Sequence, residues 1–264
     1  MCNAMKDILS EVRDRLLEEV PDIDGISVEA VRLGLGYSGL KLDTGHVGVC
    51  NSLLSEATLD CCEVLLEAGT LAGRPVTEFL SFIESWDFVE RVIGVSAINA
   101  LSQIVFEKNP DRYMVEERNL IDVVEVRPGD TVVMVGHIKP FTAVFRAKAE
   151  ALYILERSPR REEGVLPDTA CEKLVPEADV AVITGSALAN GTLDRLLELA
   201  VDARTVAIVG PTASCLPEPL FSRGVDYLGG IRIRDADRAM RILSEGGGTT
   251  QLRQAGEFVT FKAG

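Results

Sequence analysis

The feature that most constrains this chain is the alternation that runs through its second half. From about residue 120, short runs rich in Val, Ile and Ala ("TVVMVG", "ALYILERSP", "ADVAVITGSA", "RTVAIVGP", "VDYLGG") are separated by segments of helical character. The helical segments are "FTAVFRAKA", which starts at Pro140, then "DTACEKLV", "NGTLDRLLELAVDA" and "PEPLFSRG", with "DADRAMRILSEGGG" closing on glycines. Strands that are apolar throughout are covered on both faces, and helical crossovers between them make neighbours parallel. The pattern predicts a Rossmann-like α/β domain with a parallel sheet.

The first half has a different rhythm. Residues 5–19 (MKDILSEVRDRLLEE) place apolar side chains at helical spacing and stop before Pro21. "GISVEAVRLGLGYSGLKLDTGHVGVC" alternates and is broken by glycines, which predicts a small antiparallel meander. Helices are expected over "TLDCCEVLLEAG", "VTEFLSFIES" and "WDFVERVIGVSAINALSQIVFE", and polar "KNPDRYMVEERN" reads as the outgoing connection. The expected organisation is an α+β domain over residues 1–118 followed by a Rossmann-like domain over residues 119–264.

Charge and cysteine usage narrow the function classes. A formal net charge of −14 disfavours nucleic acid and anionic membrane surfaces, because both need clustered Lys and Arg. No apolar run reaches membrane-spanning length and no basic segment leads into an apolar core at the N-terminus, so a cytoplasmic protein is expected. A homo-oligomer is compatible with the chain. The six cysteines form no C-x-x-C pair and the two histidines, His46 and His137, are far apart, so scattered buried thiols are expected rather than a zinc site.

In parallel sheets of this kind, ligands sit outside the carboxyl ends of the strands where the strand order reverses. The residues after each strand are polar or glycine: Gly136, His137 and Lys139; Glu156, Arg157 and Ser158; Thr184, Gly185 and Ser186, then Asn190, Gly191 and Thr192; and Gly210, Pro211, Thr212 and Ser214. "VVMVGHIKPF" begins as a dinucleotide-binding turn does, but His137, Lys139 and Pro140 replace the later glycines of G-x-G-x-x-G. Glu156 lies twenty residues after Gly136. It is either an acceptor for the ribose hydroxyls of a nucleotide-like or S-adenosylmethionine-like ligand, or a surface carboxylate paired with Arg157 or Arg160.

"TGSALANGT" offers hydroxyls and helix-start amides that suit a phosphate or carboxylate, or else ordinary capping by Asn190 or Thr192. His137 is a candidate general acid or base and Lys139 a candidate anion anchor; the alternative is packing for one and solvation for the other. Catalysis, if present, is expected to be condensation, hydrolysis or group transfer on a small polar molecule.

"GHIKPF", "LERSP", "LPDTACEKLVPEADVAVITGSALANGTLDRLLELA" and "VGPTASCLPEPLFSRGVDYLGG", with the earlier "GVSAINALS", resemble the heavy-metal chelation family, a domain of unknown function. The resemblance implies an N-terminal domain like that of enolase, a Rossmann-like domain related to methyltransferases, and a site where the two meet. It also implies roles in heavy-metal chelation or in the chemistry of pterin-, flavin- or siderophore-like molecules. On that picture, Tyr37 and Ser38 of the glycine-rich "GLGYSGLKL" become candidate substrate contacts. Asn99, an amide on an apolar helix, contacts substrate or caps a neighbouring loop. The second function class is a non-catalytic protein that binds a metal chelate or a nucleotide.

Overall fold

A computed structural model describes residues 6–56, 64–158 and 162–264. In the first half, helix α1 (Ile8–Glu19) is followed by strands β1 (Val28–Arg32), β2 (Tyr37–Leu42) and β3 (Val47–Asn51), then helices α2 (Val76–Leu80) and α3 (Phe88–Lys108). The three strands form an antiparallel sheet in the order β1-β2-β3. Asp7 starts α1 by accepting the Ser10 N–H, and Asp87 starts α3 by accepting the Val89 and Glu90 N–H groups. The helix expected over residues 58–69 falls partly outside the described residues, and its described end, 64–69, is bend and turn.

Helix α3 is apolar around almost its whole circumference, so a stable packing must cover every side of it. It lies against the small sheet on one side, and its side chains share one core cluster with those of the large sheet, including Val133, Ile183 and Ile208. By length and composition it could cross a membrane, which corrects the expectation that no apolar run is long enough. Here 78% of its apolar window is buried inside the protein.

The second half supplies β4 (Val115–Glu116), α4 (Leu120–Val123), β5 (Thr131–Val135), α5 (Lys139–Arg146), β6 (Ala151–Glu156), β7 (Val165–Pro167) and α6 (Cys171–Leu174). It continues with β8 (Val180–Thr184), α7 (Ser186–Ala189), α8 (Leu193–Leu199), β9 (Thr205–Val209), α9 (Glu218–Phe221), β10 (Tyr227–Ile233), α10 (Ala236–Ser244), α11 (Thr249–Leu252) and β11 (Gly256–Lys262). The sheet order is β4-β11-β10-β9-β8-β5-β6-β7.

The six strands from β10 to β7 are mutually parallel, while β11 and β4 add an antiparallel edge, so the sheet is mostly rather than wholly parallel. Both edge additions escape the sequence pattern. β11 (GEFVTFK) follows a glycine cluster, and the two-residue β4 lies inside the polar connection. β7, three residues between β6 and α6, is too short to register as a strand in the sequence.

The central parallel strands β5, β8 and β9 are apolar almost throughout because both faces are packed. Along β5, Val132 and Met134 join one core with Phe141 and Phe145 of α5, whereas Val133 and Val135 join the core shared with α3. The β1–β2 hairpin docks on α10, and its glycines permit the approach. A Cβ at Gly34 would lie 2.4 Å from the Leu243 carbonyl oxygen, and one at Gly39 would lie 2.5 Å from the Leu243 side chain.

Candidate functional site

Strands β6 and β7 extend from one side of β5, and β8, β9 and β10 from the other. The strand order therefore reverses between β5 and β8, the position at which open parallel sheets leave a crevice. A cleft of about 490 Å³ opens there. Its floor is apolar (Val135, Leu155, Leu196, Leu199), and Gly136, His137, Glu156, Arg157, Thr184, Ser186, Asn190 and Thr192 form polar walls. The first-half segment that leaves β3 closes one side through Asn51, Leu53, Ser55 and Glu56.

Gly136 ends β5 with φ +88°, a backbone state that favours glycine, and a Cβ there would stand 2.8 Å from the Thr184 side chain. The Gly136 N–H carries the β5–β6 ladder one residue beyond β5 by donating to the Leu155 carbonyl at 2.7 Å. Glu156, at the end of β6, points back into this turn. Its Oε2 accepts the His137 N–H at 3.0 Å and its Oε1 accepts the Ser158 N–H at 2.9 Å.

Arg157 joins the two halves of the cleft. Its guanidinium donates to Glu56 Oε2 at 2.5 Å and to Asp168 Oδ2 at 2.7 Å. Asn190 Nδ2 reaches the other Glu56 oxygen at 3.4 Å, while its Oδ1 accepts the Thr192 hydroxyl at 2.8 Å. Arg195, also on the wall, is held by Glu172 and Glu198. The neighbouring backbone is strained: buried Leu53 has φ +50°, held by an N–H to Asn51 Oδ1 bond at 2.9 Å.

Among the candidates from sequence, Gly136, His137, Glu156, Arg157, Thr184, Ser186, Asn190, Gly191 and Thr192 line the cleft. The others stand elsewhere. Lys139 is exposed and donates to Glu162 at 2.6 Å. Gly185 packs under Gly210, and Pro211 is buried. Thr212 is buried behind the wall, where its hydroxyl accepts the Asn51 N–H at 2.9 Å.

Tyr37 accepts from the Thr249 hydroxyl, beside α11, and Ser38 is buried against Ser52 and the Gly34 N–H. Asn99 is fully buried, and its amide donates to the carbonyls of Val49 and Thr212, both at 2.9 Å. It bridges β3 to the loop after β9.

Glu56, Asp168 and Asn51 were not legible as site residues. Glu56 follows β3 without any motif, and only the fold brings it to Arg157.

Among the described residues, no three His, Cys, Asp or Glu side chains converge as a metal site would require. Burial pushes the Cys171 thiol up to about 11 and Cys215 up to about 12, so both are neutral thiols near pH 7. Cys61 and Cys62 lie outside the described residues.

Comparison with known proteins agrees with this architecture. Residues 119–262 match a family model, DUF364, described as "Putative heavy-metal chelation", and residues 13–102 match a second model, DUF4213, with the same description. An uncharacterised protein of Methanocaldococcus jannaschii is 33% identical over 174 residues. That match covers 65% of this chain and spans only 65% of the relative's own length.

Two solved structures, each described as a DUF364 protein of unknown function, share the fold. The one from Pyrococcus horikoshii has a TM-score of 0.81 at 22% identity, covering 97% of this chain and 100% of that one. The one from Desulfitobacterium hafniense DCB-2 has a TM-score of 0.77 at 29% identity, covering 96% and 98%. With more than half of it, residues 119–262, matched by the family model, the chain belongs to the DUF364 family, described as "Putative heavy-metal chelation".

Proposed function

We propose that this chain is a cytoplasmic small-molecule enzyme whose cleft at the β5–β8 reversal holds an adenosine-bearing ligand of the S-adenosylmethionine or nucleoside class. The observation that carries this reading is the convergence of Gly136, Glu156 and Thr184 on one crevice. The glycine permits close approach, the carboxylate at the end of β6 stands where such folds take ribose hydroxyls, and Leu155 and Leu196 provide an apolar bed for a planar base. His137 is the cleft's only imidazole, since His46 is engaged elsewhere with Thr44 and Glu107. It suits proton transfer in a condensation, hydrolysis or group transfer on a second, polar substrate.

In this reading, residues 1–118 and 119–264 act as two domains that share the site through Glu56. The family's chelation theme enters as an organic chelate or its precursor rather than a bare ion, in keeping with the donor set around the cleft.

A thermal-shift screen with S-adenosylmethionine, adenosine, pterins and divalent metals tests this. A ligand at a hundred times its Kd adds about 2.7 kcal/mol to stability, roughly 5–10 °C for a chain of this size. The expected result is a shift with S-adenosylmethionine or adenosine that Glu156→Ala and His137→Ala each diminish while remaining folded. Stabilisation by metal alone, or a shift indifferent to both variants, overturns the reading.

A further inference from the structure

The Asn190–Gly191 turn also borders a second cavity. This space, of about 390 Å³, shares the two residues with the cleft as a common wall. It is lined mainly by the starts of α1, α3 and α8 and by the turn that precedes α3. His137 and Glu156 line the cleft and not this cavity. Two opposite charges line it, Arg91 of α3 and Asp194 of α8, and each is held by less than its burial calls for.

Arg91 caps the end of α7, its Nε donating to the Ala189 carbonyl at 2.8 Å and its Nη2 reaching the Leu188 carbonyl at 3.5 Å. Among the described residues it makes no ion pair, and burial lowers its guanidinium below the ordinary range. Asp194 Oδ1 accepts the Ile8 N–H at 3.1 Å. Its ion pair is a long one, 4.0 Å to Arg223 Nε, and Arg223 is itself held by Glu11 at 2.7 Å. Burial raises the Asp194 carboxyl above the usual range, and the nearby Asp7 carboxylate adds to this. Asp7 caps α1 by accepting the Ser10 N–H and hydroxyl. A charge that burial pushes toward its neutral form gains most from a new counter-charge. Between the charges lies an apolar surface: buried Leu9, half-buried Phe88, and Trp86 on the rim, 96% exposed.

We propose that this second cavity binds an amino acid as its zwitterion: the carboxylate on the Arg91 guanidinium, the ammonium between the Asp194 and Asp7 carboxylates, and the apolar body against Leu9, Phe88 and Trp86. An anion alone would meet the two carboxylates, and an amine alone would leave Arg91 as it is. A molecule that carries both charges matches both, and a guanidinium suits a carboxylate because it can donate two parallel N–H bonds. The inference does not rest on the adenosine reading of the cleft.

Trp86 is the chain's only tryptophan, so its emission reports on this cavity rather than on the cleft. The test is calorimetric titration of the full chain with L-phenylalanine, whose two charges sit on one carbon, and with ε-aminocaproate, whose charges sit at opposite ends. Each is compared with its single-charge analogues: hydrocinnamate and phenethylamine for the first, hexanoate and hexylamine for the second. One of the two zwitterions should bind saturably, shift the Trp86 emission to shorter wavelength, and exceed both its analogues at least tenfold in affinity. Arg91→Gln, which keeps an N–H donor without the cation, and Asp194→Asn, which keeps an oxygen for the Ile8 N–H, should each weaken it at least tenfold, with circular dichroism confirming the fold. No saturable binding of either zwitterion, or binding that leaves Trp86 emission unchanged, overturns the assignment. So does affinity within threefold of wild type in both variants. If the variants do not fold, the wild-type comparison decides alone, and an analogue within threefold of its zwitterion overturns the inference.

Discussion

Asn99 offers the sharpest separation between a structural and a ligand-binding role. Its side chain is fully buried in α3 and spends both amide hydrogens on the carbonyls of Val49 and Thr212, one from each sheet's side of the core. In Asn99→Ala both carbonyls lose their partner in a site water does not reach. A buried polar group left unpaired costs about 1–3 kcal/mol. Against this, Asn99 Oδ1 is itself buried without a partner, and removing it returns a comparable amount once. The small void left behind adds roughly 1 kcal/mol.

The balance is a loss of about 2–4 kcal/mol, or roughly 5–15 °C in Tm for a chain of this length. Asn99→Asp, which keeps the shape and removes both donors, should lose at least as much, since it also buries a charge. Urea unfolding followed by far-ultraviolet circular dichroism gives the midpoint. Calorimetry with adenosine at 25 °C, where the variants remain folded, should give a Kd within twofold of wild type. A loss below 0.5 kcal/mol, or intact stability with abolished binding, would refute the reasoning.

Two further outcomes follow from the same geometry. Gly136→Ala must adopt φ +88° and push the Thr184 side chain from 2.8 Å, so it should cost about 1–2 kcal/mol for the backbone alone and distort the cleft. Wild-type Tm with wild-type adenosine affinity would contradict this.

At the opposite end of β5, the Arg204 guanidinium donates twice to Asp130, at 2.7 and 3.0 Å, and holds its carboxyl below the usual range. A carboxyl with a lower pKa in the folded state stabilises above its unfolded value, near 3.9, and loses that contribution as pH falls further. Asp130→Asn should therefore cost about 1.5–3 kcal/mol at pH 7, flatten the decline of stability below about pH 4, and leave ligand affinity unchanged. An acid limb as steep as that of wild type would count against the pairing.

Legibility from sequence followed the range of the interactions. The strands β5, β8 and β9 declare themselves because each carries its own burial on both faces as an apolar run, and β6 and β10 follow from the alternation around them. Apolar spacing alone places α1 and α3 but starts them at residues 5 and 86, before the caps Asp7 and Asp87 at which they begin. β7 and β4 are too short for any pattern, and they exist as strands only because β6 and β11 offer open edges. Within the site, Gly136, Glu156 and Thr184 share the same legibility, since each ends a strand recognisable on its own.

Tyr37 and Ser38 show the opposite case. A hairpin with three glycines looks like a ligand loop in one dimension, yet its glycines serve the close approach to Leu243 of α10, some two hundred residues away.

The sequence alone determined that a parallel sheet with polar strand ends must form, because burial of Val and Ile runs and polar turns are local chemistry. Only the tertiary structure decided which ends meet. The order around β5 placed Gly136 against Thr184, brought Glu56 from the first half onto Arg157, and turned Glu156 onto the His137 amide. Hydrogen bonds and ion pairs act within about 3 Å, and no spacing along the chain reports a distance that the fold itself creates.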